Sequence, residues 1–378
     1  MSALYLSIAL VVAIALGWWF WRRPVSRPIP APPAKPNTLT PAPSRVPRAA
    51  QPSTPAAPAI PTEPAPAELT ALVWRSEADL DPPQRDALLA AIRDIPRPPG
   101  SLQRLLSPEF VAKAGSAELS ELVSAELLIT AKVLGTVNAP FYGLQRPVTG
   151  IGQAVTFLGM NSVRNICLQY MLAETFKPQH ASSQRVFDTV WKASAIASEL
   201  SVRLGKALNL PDQGGLSTQV VLGFVGHLVT ASLMPPAELQ NWLSRNRVER
   251  TAQEQALMGL SAGEIGGLLL KSWALPDQLV TEVGDIGRLL VTPASAITSA
   301  RMPPLALSYL CSRLGERLAL GQLESLANYD PLQDLGADTH HLRDCLAHPD
   351  LAGLSAALQA PELLTAIQLM LNNAPQTG

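Results

Sequence analysis

Cysteine is scarce in this 378-residue chain: Cys167, Cys311 and Cys345 are odd in number and far apart. That is a poor disulfide framework, and it fits a reducing compartment. An excess of either charge is also missing, with 29 Lys and Arg against 30 Asp and Glu. A net charge of -1 leaves no basic footprint, so no nucleic acid is expected as a partner. No alternating strands joined by hairpin dipeptides appear, and there is no internal repeat of fixed period. The phosphate-cradling glycine loop, the nucleophile elbow and the zinc-protease motif are absent too.

What is present begins with apolar residues, 47% of the chain against 16% charged, enough for one large domain or two ordinary ones. Proline is abundant, at 35 residues, and unevenly spread. The run from Ala3 to Trp21 is uncharged and just long enough to cross a bilayer as a helix. Trp18, Trp19 and Trp21 gather at its C-terminal end, and Arg22, Arg23 and Arg27 follow at once. A cleaved signal peptide would carry its basic residues before the apolar run and small residues after it. The charge order instead predicts a single-pass anchor over 3–21 in the inner membrane, N-terminus out and main domain in the cytoplasm. The membrane is thus an expected partner.

Residues 22–67 are mostly Pro, Ala, Ser and Thr and have no means of building a core. They are expected to be an extended, semi-rigid linker, reaching on the order of 100 Å at most. A ligand for proline-binding modules is the functional alternative.

From Glu68 to the end, 68–378, the periodicity is helical. Leu88, Leu89 and Ile92 share one stripe of a helix framed by Pro83 and Pro96. Residues 116–138 read as a helix in two pieces, broken near Glu126. Eleven further runs lie between 150 and 373, separated mainly by Pro, Gly or Asn. The fold class is therefore all-α, a compact array of ten or more helices. A seam between two subdomains would fall near Phe176 to Ser183.

Some of these residues carry a resemblance. Asn138-Ala139-Pro140-Phe141-Tyr142-Gly143 is followed by Ile151, Gln153, Ala154, Val155, Leu158 and Gly159. Trp191, Ser194 and Ala197 continue it, then Gly259 to Gly266 and Trp273 to Pro276. Over a core of about 88–316 the sequence resembles the HDOD family, related to the HD phosphohydrolases. The resemblance implies an HD-like helical domain acting as a signalling output module without that catalysis, through an unidentified signalling protein partner.

Departures from the family pattern matter chemically. Glu126-Leu127 stands where an Asp-Pro pair is usual, and Ala139 where a serine is. Gly226-His227-Leu228 stands where relatives often read His-Asp; Ala262 replaces a histidine, and a histidine pair is missing around Gly284-Asp285. A hydrolase of that type needs several His and Asp ligands to hold a metal that activates water. Leucine and alanine have no donor atom for a cation. His227 is therefore expected to be a neutral core histidine, and the chain not to be an enzyme or to need a cofactor. The alternatives are a degenerate phosphohydrolase and a sensor of a small ligand such as a nucleotide.

Four smaller groups of residues remain. His341, Cys345 and His348 are spaced to share a helix face and are the weak candidates for a metal; a polar helix end is the expectation, for want of a fourth ligand. Ser261 and Glu264 read as the N-cap and third position of a helix. Arg164 and Asn165, following Asn161, read as a solvated helix face, with a polar groove as the alternative. Cys167 and Cys311 read as small core residues.

Overall fold

The computed structural model describes residues 64–139, 144–176 and 181–372. The expected anchor at 3–21 and nearly all of the linker at 22–67 lie outside them, as do Phe141, Tyr142 and Gly143.

Among the described residues there are helices and no strand. The N-terminal group is α1 (Ala67–Ala71), α2 (Pro82–Arg93), α3 (Gly100–Leu105), α4 (Pro108–Lys113), α5 (Ser116–Ser124), α6 (Leu127–Val137), α7 (Ile151–Leu158) and α8 (Met160–Thr175). The centre comprises α9 (Ala181–Ala207), α10 (Gln213–Gly223), α11 (Val225–Leu233), α12 (Pro236–Trp242), α13 (Arg247–Met258), α14 (Ala262–Ser272) and α15 (Asp277–Arg288). The chain ends with α16 (Met302–Ala319), α17 (His340–Leu346), α18 (Leu354–Leu358) and α19 (Pro361–Asn372). The expected break near Glu126 separates α5 from α6.

Two apolar clusters form the core, and α9 supplies both. Phe187, Val190, Ala193 and Ala197 join the cluster of the N-terminal and central helices. Ile196, Leu200 and Leu204 join the cluster of α16, α17, α18 and α19. Helix α16 lies along α9 so closely that a Cβ on Gly315 would stand 2.8 Å from the Ala197 Cβ. Only glycine permits that approach.

Local chemistry sets several helix ends. The Asp81 side chain accepts from the Gln84 amide at 2.8 Å, with Pro82 at the first position of α2. Ser261 caps α14 as expected, accepting from the Glu264 amide at 3.3 Å. The Glu264 carboxylate, however, does not return to the cap; it is drawn to Trp74 and Arg288. Arg164 and Asn165 correct a second expectation: both are buried on α8, not solvated. Arg164 donates to the Gly214 carbonyl and the Thr218 hydroxyl, and Asn165 to the Ser198 hydroxyl. The start of α10 thus covers Arg164, and α9 covers Asn165.

Candidate functional site

Helices α10 and α11 form a long apolar stretch, Gln213–Leu233, and most of it is buried. It presents His227 to a small cavity of about 60 Å³. The floor is made by close contact of α11 with α14: a Cβ on Gly266 would lie 2.7 Å from the Gly226 Cα. Other walls come from Arg250 and Glu254 of α13, Tyr309 of α16 and Trp74, which precedes α2.

The polar side chains here arrive from distant parts of the sequence. Arg250 donates to Glu316 Oε2 at 2.8 Å, and Arg247 donates to both carboxylate oxygens of Glu316, at 2.9 and 3.1 Å. The same Arg250 nitrogen lies 3.3 Å from His227 Nε2. A guanidinium only donates, so Nε2 is the acceptor in this contact. Aromatic rings enclose the group, with Arg250 5.7 Å from the Trp242 ring and Arg247 4.7 Å from that of Tyr309.

Burial and charge set the protonation states. Burial, with the Arg250 charge beside it, pushes the His227 pKa down to about 3, so the imidazole is neutral. Burial alone would raise the Glu316 carboxyl, but the Arg247 and Arg250 guanidiniums outweigh it and hold Glu316 well below the usual carboxylate range. Burial raises Glu254, which accepts from Trp242 Nε1 at 2.9 Å and from the Ala262 amide at 2.7 Å. Two guanidiniums therefore engage Glu316, and Arg250 also lies 3.9 Å from Glu254, so internal cations already pair with the carboxylates of this group.

A metal of the HD type does not fit these residues. Leu228 and Ala262 offer no donor, and the acceptor nitrogen of His227 is already engaged by Arg250. Among the described residues no three His, Cys, Asp or Glu side chains are grouped to hold an ion. An imidazole with a pKa of about 3 is also a poor base near neutrality.

The family-motif residues serve the scaffold. Asn138 staples the loop after α6, donating to the Val148 carbonyl at 2.8 Å and accepting from its amide at 2.7 Å. Gln153 accepts from the Thr149 amide at 2.9 Å, ahead of α7. Ala154 is buried in the core and Leu158 packs against it, while Gly159 joins α7 to α8 at φ +83°, where L side chains are strained. Trp191 is half-buried on α9, and Trp273 is fully buried, its ring 6.1 Å from that of Phe176.

The His341, Cys345 and His348 group is distributed rather than convergent. Cys345 is buried and its thiol is pushed up to about 12 by burial. His348 lies beyond α17, with Nδ1 accepting from the Asp350 amide and Nε2 at 2.9 Å from the Ser299 hydroxyl. Cys167 and Cys311 are likewise buried free thiols.

Several solved structures share a distant likeness with this chain. An HDOD domain protein of unknown function from Geobacter sulfurreducens is 16% identical, with a TM-score of 0.49 over 73% of this chain and 97% of its own. A proposed phosphohydrolase from Shewanella amazonensis SB2B is 19% identical, with a TM-score of 0.48 over 76% and 97%. A proposed signal transduction protein from Marinobacter aquaeolei VT8 is 19% identical, with a TM-score of 0.46 over 78% and 67%. No curated protein has a matching sequence. The model of the HDOD domain matches residues 95–285, just over half of the chain, and the chain belongs to the HDOD family.

Proposed function

We propose that this chain is a non-catalytic HDOD output module that regulates a signalling protein by binding it. The observation that carries the reading is the Arg250 guanidinium on His227 Nε2, backed by Glu316 at 2.8 Å. In that arrangement an internal cation occupies the histidine where catalysis of the HD type would need a metal. Exposed apolar side chains support a binding role: Leu127 (83%) and Leu128 on α6 and Phe157 (61%) on α7, two helices that pack together. The sequence of 3–21 and 22–67 supports a membrane tether with a proline-rich spacer, holding the domain on the cytoplasmic side.

The test is hydrolysis. The purified full-length chain, with manganese or magnesium added, is assayed on nucleotide phosphomonoesters and phosphodiesters. The module reading expects no turnover above buffer. Turnover that disappears in His227→Ala, with the protein still folded, would establish the degenerate phosphohydrolase instead.

A further inference from the structure

Residues 64–80, through which the chain enters the domain, carry Trp74 onto the wall of the His227 cavity. Helix α1 within them packs on α13 and on the turn at 337–339. Hydrogen bonds to two side chains attach their backbone and the Trp74 indole. Gln255 accepts from the Arg75 amide at 2.8 Å and donates to the Val73 carbonyl at 2.9 Å, pairing with the segment as a neighbouring strand would. Trp74 Nε1 donates to Glu264 Oε1 at 3.0 Å, and its ring closes the cavity, reaching within 3.9 Å of a Cβ placed on Gly287. Between these anchors Val73 is 73% exposed. Apolar attachment comes from Leu69 and Leu80, which are buried, and from Leu72 and Trp74, which pack against the core.

With the segment in place the cavity has about 60 Å³, room for a few waters. Small-molecule sites run to roughly 300–1,000 Å³. Trp74 shares the wall of that space with His227, Arg250 and Thr251. The clasp is also adjacent to the cavity's own support: Gln255 holds the segment, while Glu254 beside it holds Trp242 and the start of α14.

We propose that residues 64–80 are a strap that gates the cavity and is released as one unit, so that the cavity opens only when the strap leaves. A pull on the preceding chain, or a partner competing for the strap, would then be read out as exposure of the His227 side chains. The gate operates whether or not the cavity is catalytic, so it stands apart from the function proposed above.

The experiment uses two rates on the full-length chain. Arg75 is the sole tryptic site between Arg48 and Arg85, so cleavage there reports the strap. A Thr251→Cys thiol, on the cavity wall, reports access to a small thiol reagent. The native thiols are a quiet background, being buried, with Cys167 and Cys345 each pushed up to about 12. Each rate is measured with and without Leu69→Ala, which loosens the strap at an anchor outside the cavity wall, and Gln255→Ala, which removes the clasp. Circular dichroism checks that every variant is folded. The gate expects both rates to rise together, by tenfold or more, in both variants. Faster cleavage at Arg75 with unchanged thiol reactivity would overturn it, as would no change in either rate.

Discussion

Arg250 donates to Glu316 at 2.8 Å, with the two side chains 5% and 9% exposed. Charges this deeply withdrawn from water are stable only as a matched set. Removing Glu316 takes away the carboxylate shared by Arg247 and Arg250, and leaves Arg250 only Glu254, at 3.9 Å. Glu316→Ala is expected to cost about 3–5 kcal/mol in urea unfolding of the full-length chain. A loss under about 1 kcal/mol would show that water reaches the cluster and screens it.

The neutral His227 makes stability depend on pH. Below pH 6.5 the unfolded imidazole takes up a proton that the folded one refuses until about pH 3. Protons therefore favour the unfolded chain, and stability falls as pH drops through that window, by at most about 1.4 kcal/mol per unit. Glu254, whose carboxyl is raised, contributes with the opposite sign and is common to wild type and His227→Gln. Comparing their unfolding between pH 6.5 and 4.5 isolates the histidine: wild type should show the steeper decline. Parallel curves would mean that His227 is protonated in the fold.

Glycines at the contact of α11 and α14 are expected to be irreplaceable. A Cβ on Gly226 would overlap the Ala262 carbonyl, so Gly226→Ala should destabilise by about 1–3 kcal/mol or more. Gly267, on the same helix as Gly266 but with nothing within 4 Å of its Cβ, is the control. Gly267→Ala should be neutral or stabilise by up to about 1 kcal/mol, through helix propensity. Thermal melts of the two variants distinguish a packed contact from an open one.

Asn138 supplies both bonds of its loop staple. Asn138→Ala leaves the Val148 amide and carbonyl without their partner and should lose about 1–3 kcal/mol. Asn138→Asp keeps the acceptor and loses the donor, so an intermediate melting temperature is expected. Equal melting temperatures for the two would place the whole effect on the carbonyl side.

Much of the helical domain is legible from periodicity and punctuation, because apolar stripes between Pro, Gly and Asn determine which faces are buried. Helices of five or six residues, such as α3 and α18, carry too little periodicity to be read that way. The cavity is legible only in part. His227 stands out because an apolar run isolates it, and so does Glu316 within α16, a charge in a run otherwise fit for a core. The pairing of Glu316 with Arg247 spans 69 residues and follows no local rule. The clasp of Gln255 on Arg75 spans 180. Glu264 shows the limit of local reading: its position predicts a capping role, and its carboxylate is taken instead by Trp74 and Arg288.

The most direct test of the account is the metal content of the full-length chain purified in the presence of manganese, read beside its melting temperature with and without the ion. A site filled by Arg250 predicts no stoichiometric metal and an unchanged melting temperature, because an ion that does not bind the folded state adds nothing to its stability. One manganese per chain, together with a raised melting temperature abolished by His227→Gln, would contradict it.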